Sequence, residues 1–304
     1  MKTTYRIRQP YRDIFMECAD NYKNVSPASP ERFIEKMKRN TGMAGVPGAD
    51  GLQKKNPVIV ALGDSVTAGH FESLIPLEPQ KMQEMMISLG ELIKLVALSR
   101  TDPVAAAQKE KEMRSYPKPM EVYDAQESYI EKFRNMLIGQ YEQTSVSILN
   151  AGIAGDNIVS MSQRAERDVI RYQPDLVLIN GSLNWGDNLG TNEYFGEILR
   201  SLVKRIKNET EADIILLTPN GDLPNILFEP LGMKAEEPTT AERCELIRDI
   251  AVSERVCLAD VRKVWDLAQK AGCPWEELLA NKVNHPSVEG HEVYAKVLMQ
   301  LFME

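Results

Sequence analysis

Ser65 stands where an apolar run stops. The chain reads Val58-Ile59-Val60-Ala61-Leu62-Gly63-Asp64-Ser65. The break from β-formers to Gly-Asp-Ser puts a hydroxyl at the carboxyl end of a predicted strand, where open α/β sheets bind their ligands. A serine hydroxyl is a weak nucleophile until a base takes its proton. His285 lies 220 residues on, in Asn284-His285-Pro286, and the chain has only three histidines. A neutral imidazole can accept that proton near pH 7. This pairing would run acyl transfer, which also needs donors for the oxyanion that develops. Three present themselves. They are the backbone N–H of Ser65, the N–H of Gly155, where no side chain obstructs approach, and the side-chain amide of Asn184.

Other polar residues near these positions have competing roles. His70 follows Ser65 by five residues and is a candidate for substrate contact or for support of the cleft. Trp185 follows Asn184 and would either stack on a sugar or acyl group or pack inside. Asp64 is read as fixing the turn through backbone hydrogen bonds, and His291 as structural, inside the last helix. Asp187 and Asp222 are expected to be solvated. Asp260, at the end of the fifth strand, is a candidate to orient His285. No metal site is expected: three scattered histidines and four dispersed cysteines offer no ligand spacing. No phosphate-cradling glycine motif occurs either, so no nucleotide cofactor is expected.

The elements that must position these residues follow a regular rhythm. Five short Val/Ile/Leu-rich runs, at 58–62, 146–149, 176–180, 214–217 and 256–259, read as buried parallel strands. Helix-period stretches lie between or after them, at Asn157–Tyr172, Glu193–Asn208, Thr240–Glu254 and Ser287–Phe302. Alternation of this kind predicts βαβ units with right-handed crossovers. The expected fold is a three-layer α/β/α sandwich on a mostly parallel five-stranded sheet. Two segments fall outside the rhythm. Residues 1–56 are expected to form an extension with a helix at Pro30–Arg39 and a Gly/Pro-rich connector at 41–48, packed on a domain at 57–304. Residues 72–142 exceed an ordinary crossover. Their stripe Met82, Met85, Met86, Leu92, Ile93, Leu95 and Val96 reads as core, with a further helix near Asp124–Tyr141. An insertion directly after the serine would form a lid or one wall of the cleft.

Bulk properties narrow the partners. A 304-residue chain with 43% hydrophobic and 26% charged residues is an ordinary globular composition. The net charge of −8 argues against phosphate contacts to nucleic acid and against binding to a membrane surface. No apolar run approaches the roughly 20 residues of a membrane-spanning helix, and the N-terminus has no apolar signal region. Cys18, Cys244, Cys257 and Cys273 show no CxxC spacing, so reduced thiols and a cytoplasmic setting are expected.

Four blocks in order, GDSVTAG, NAGIAGDN, the segment around Asn184 and NHPSVEGHEVYA, resemble the SGNH hydrolases, the GDSL-type esterase/lipase superfamily, over roughly residues 57–303. The resemblance implies a flavodoxin-like SGNH fold and ester hydrolysis without a cofactor. It implies Ser65 as nucleophile, His285 as base, and Ser65, Gly155 and Asn184 around the oxyanion. The expected substrate is a small soluble acyl ester, such as an O-acetyl group on carbohydrate. A lysophospholipase, a thioesterase and a non-catalytic carbohydrate- or acyl-binding protein remain open. Two blocks depart from the family pattern. The usual Gly-x-Asn-Asp is Ser182-Leu183-Asn184-Trp185. The usual Asp three residues before the histidine is Lys282, which cannot accept an imidazole N–H. A backbone carbonyl, Asn281, Asn284 or Asp260 would have to orient His285, so a dyad or weakly assisted triad is expected.

Overall fold

The computed structural model describes residues 5–40, 56–71, 102–113, 123–142, 146–186, 189–223 and 240–303, with isolated positions 91, 95 and 98. The connector at 41–48, the stripe from Met82 to Val96 apart from Leu95, and Asp187 fall outside the described residues, so the expected lid is not described.

Five strands, β1 (Val58–Gly63), β2 (Ser147–Gly152), β3 (Leu176–Asn180), β4 (Asp213–Leu217) and β5 (Cys257–Ala259), form one sheet in the order β2-β1-β3-β4-β5. Every neighbouring pair is parallel, with Gly63 opposite Gly152 on one side and Asn180 on the other. Alternate side chains feed two cores. Ile59, Ala61, Leu178, Ile215 and Leu217 face one, under helices Tyr11–Asn21, Tyr129–Tyr141, Val261–Lys270 and Val288–Met299. Val60, Leu62, Val177, Ile179 and Leu216 face the other, under helices Asn192–Glu209 and Thr240–Glu254. Burial on both faces is why these strands read as continuous apolar runs rather than alternating ones. The result is a three-layer α/β/α sandwich of flavodoxin-like strand order.

The predicted helix at Asn157–Tyr172 is instead three pieces: Ile158–Gln163, Ala165–Asp168 and a 3-10 turn at Ile170–Tyr172. The first break falls at Arg164, whose guanidinium is drawn inward to β1 and the preceding loop. The chain before β1 packs on the first core: Phe15 meets Trp265 edge-on at 4.7 Å between ring centroids. Among the described residues no helix is long and apolar enough to cross a membrane.

Candidate active site

In a sheet of order 2-1-3-4-5 the connections reverse direction between β1 and β3, and the crevice outside their carboxyl ends is where such folds hold ligands. Ser65 and Asn184 follow those two strands. Asp64 caps the one-turn helix Ser65–Ala68, its Oδ1 accepting the Val66 N–H at 3.0 Å. The end of β2 presses on this turn so closely that a Cβ on Gly152 would lie 2.3 Å from the Ala68 nitrogen.

His285 arrives from the other side on a loop that is held at many points. Ala280 N–H donates to the His285 carbonyl at 2.7 Å. The Asn281 Oδ1 accepts the backbone N–H groups of Val283, Asn284 and His285 at 3.0, 2.9 and 2.8 Å. The loop turns at Lys282 with φ +62°. From the loop after β4, Asn220 Nδ2 donates to the Asn284 carbonyl at 2.9 Å and Leu223 N–H to the Val283 carbonyl at 2.6 Å. Ser287 then caps the helix Val288–Met299 through the Gly290 N–H. These constraints bring His285 Nε2 to 2.9 Å from Ser65 Oγ, with both residues only 5% exposed.

The third wall is the loop after β2. Gly155 is exposed at φ +75°, and nothing lies within 4 Å of where its Cβ would be. The glycine therefore answers a left-handed backbone, and the open space beside it leaves its N–H approachable. Asn184 Nδ2 donates to the Asp156 carbonyl at 3.0 Å, which uses one of its two amide hydrogens and leaves the other for a ligand. Asp156 is itself clamped. Arg164 Nε donates to its carboxylate at 2.7 Å, while the other guanidinium nitrogens reach Asp168 and the Gly63 carbonyl. One buried arginine thus ties the Gly155 loop to the strand that carries Ser65. Sequence reasoning missed it. Its signal was the Arg164–Asp168 spacing, which is that of a helical ion pair.

Burial shapes the titrations around the site. Desolvation raises the Asp64 carboxyl to about 7, with backbone N–H bonds opposing it and Asp156 adding to it. Burial holds His291 well below the usual imidazole range, and its Nδ1 accepts the Tyr129 N–H at 3.1 Å, a structural role. Tyr129 and Tyr294 are pushed up by desolvation.

The model of the GDSL-like lipase/acylhydrolase family matches residues 115–293, more than half of the chain and including Gly155, Asn184 and His285. The chain belongs to that family. Its reaction class is carboxylic ester hydrolysis. An acetylxylan esterase of Geobacillus stearothermophilus is 25% identical over 187 residues, covering 57% of this chain and 79% of the esterase. A GDSL-lipase-like protein of Parabacteroides merdae superposes with a TM-score of 0.55 at 18% identity, covering 82% of this chain and 96% of that one. The acetylxylan esterase Axe2 of G. stearothermophilus superposes with a TM-score of 0.52 at 19% identity, covering 82% and 95%. These two superpositions report a common fold.

Several residues of this GDSL-family chain lie elsewhere than the sequence suggested. Trp185 is 9% exposed. It packs edge-on against Phe195 and donates its Nε1–H to the Gly190 carbonyl, so it belongs to the core and not to a substrate surface. Asp260 does not orient His285. Its carboxylate is held by Arg248 from two nitrogens and by the Thr218 hydroxyl. Asn281 works on the loop backbone, and its Nδ2 donates to Asn284 Oδ1 at 3.0 Å. Lys282 sends its Nζ to the Glu276 carbonyl and the Tyr5 hydroxyl. Asp222 is half-buried rather than solvated; it accepts the Thr240 hydroxyl, and desolvation raises its carboxyl. His70 does border the site, its ring edge-on to His285 at 6.2 Å and tilted 45° to Tyr123 at 5.9 Å between centroids. Among the described residues no group of His, Cys, Asp and Glu could hold a metal ion.

Proposed function

We propose that this protein is a serine esterase that removes small acyl groups, with acetyl esters of carbohydrate as the favoured substrates. The single observation that carries the reading is the 2.9 Å approach of His285 Nε2 to Ser65 Oγ at the sheet's switch point. Ser65 Oγ attacks the acyl carbon while His285 takes its proton. The oxyanion is met by the Ser65 and Gly155 backbone N–H groups and the remaining amide hydrogen of Asn184. His285 then protonates the departing alcohol, and the acyl group stays on Ser65. A water activated by the same imidazole releases the acid. No step calls for a cofactor. The preference for acetylated carbohydrate is supported by the likeness to an acetylxylan esterase.

The test is hydrolysis of p-nitrophenyl esters from acetate to octanoate, and of an acetylated xylo-oligosaccharide, by wild type and by Ser65→Ala. Wild type should act fastest on acetate, and Ser65→Ala should lose at least about 10³-fold in kcat. Equal rates for the two proteins would remove Ser65 from the reaction. A maximum at octanoate would replace the acetyl ester with a longer acyl chain.

A further inference from the structure

The residue at 282 breaks the family pattern, and the structure shows what the lysine does there. Its Nζ donates to the Tyr5 hydroxyl at 3.2 Å and to the Glu276 carbonyl at 2.7 Å, and it lies 4.7 Å over the Tyr5 ring. Tyr5 in turn donates its hydroxyl to the Glu277 carbonyl at 3.1 Å and accepts the Val288 N–H at its own carbonyl, also at 3.1 Å. Its ring packs on Phe71, Ala280 and Val288. Two residues on, the Ile7 N–H donates to Glu289 Oε2 at 3.0 Å. Glu289 is 2% exposed, inside the first turn of the helix that follows His285, and Arg12 lies 3.4 Å from its other oxygen. A buried carboxylate of this kind holds its place only with such partners. These contacts span residues 276–289, both flanks of the histidine.

We propose that the segment Tyr5–Arg12 is a strap that positions His285, with Lys282 as its latch. The proposal rests on the reading of His285 as base. Lys282 stands where the family's carboxylate would orient the imidazole directly. Here the lysine acts one step back, fixing the left-handed turn of the loop by binding it to the N-terminal segment. Tyr5, Lys282 and Glu289 are positioning residues, each acting through the backbone that carries His285. A misplacement of about 1 Å can cost about 10²-fold in rate, so a partly loosened loop should cost about tenfold.

The experiment uses the full chain with Lys282→Ala, Lys282→Arg, Tyr5→Ala and the Tyr5→Ala/Lys282→Ala double variant. Two quantities are read: the kcat and KM of ester hydrolysis, and the NMR shift of the His285 imidazole Cε1–H, identified among three histidines by its loss in His285→Asn. Lys282→Ala and Tyr5→Ala should each lower kcat about tenfold with KM within about twofold. The double variant should fall little further, because the two act on one latch. Lys282→Arg, which keeps a cation and its donors, should recover most of the rate. Lys296→Ala removes the ion pair with Asp20 elsewhere in the N-terminal segment and should leave both readouts unchanged. In the two latch variants the His285 resonance should move. A His285 resonance that stays in place overturns the strap, whatever the rate does. A resonance that moves while the rate stays at the wild-type value leaves the strap standing and removes His285 as base.

Discussion

Asn184 has the clearest single-residue role to test. Its amide is fixed on the Asp156 carbonyl, so one N–H is aimed and the other is preorganised. Replacing it with alanine should lower kcat about 10²- to 10³-fold, the usual effect of losing one oxyanion donor, with KM nearly unchanged. Asp64 makes a separate prediction about stability. Its Oδ2 is buried with no hydrogen-bond partner among the described residues, and burial raises the carboxyl from 3.8 to about 7. A carboxyl raised on folding binds its proton more tightly in the native state than in the unfolded one. Its contribution to stability is therefore complete below about pH 4 and is lost as the pH rises toward 7. Asp64→Asn keeps an acceptor for the Val66 N–H and removes the buried charge. Urea unfolding of the variant between pH 4 and 8 should show a flatter profile than wild type, with a relative gain at the upper end. A parallel pair of profiles would mean that Asp64 does not titrate in this window.

At the scale of elements, the site is three loops whose mutual positions depend on a few buried polar ties. Arg164 joins the loop after β2 to the carbonyl of Gly63, and it is 7% exposed on its side chain against 4% for Asp156. Arg164→Ala leaves Asp156 buried and unpaired, which should cost about 3–5 kcal/mol of stability. It should also lower kcat, because the Asp156 carbonyl that holds Asn184 moves with the loop. Denaturation and esterase rates of the same preparation would test both, and a full-rate, destabilised variant would separate the clamp from catalysis. Asn220 makes a similar tie, receiving the Tyr294 hydroxyl at its Oδ1 and holding the Asn284 carbonyl. The helix break at Arg164 was illegible in the sequence because apolar periodicity there is compatible with one continuous helix. The break reflects where a guanidinium finds buried acceptors, which periodicity does not report.

For the molecule as a whole, two cores share one sheet, and the chain before β1 contributes to the first of them. Phe15 has no exposed surface and meets Trp265 edge-on. Phe15→Ala should cost about 3–5 kcal/mol and shift a single cooperative transition to lower urea. Two separated transitions would mean that the N-terminal segment unfolds on its own. Such coupling also explains how a contact at Tyr5 can bear on a loop near residue 285.

Five apolar runs each ended by a turn signal, with helical stretches among them, specify a parallel sheet with both faces covered. That pattern is local, so the strands and the order of the chemistry-bearing residues along the chain were legible from the sequence. Ser65, Gly155, Asn184 and His285 could be singled out by residue type and by their place after strands or before a helix. The partners of those residues could not, because hydrogen bonds between distant segments leave no periodic trace. Trp185 reads equally as a stacking platform or as core, and only packing against Phe195 decides it. Asp260 is an acid at a strand end, and only the approach of Arg248 removes it from the site. Lys282 reads as a missing carboxylate until Tyr5 lies under it. The tertiary structure decided each of these, since a side chain's chemistry depends on which distant groups compete for it.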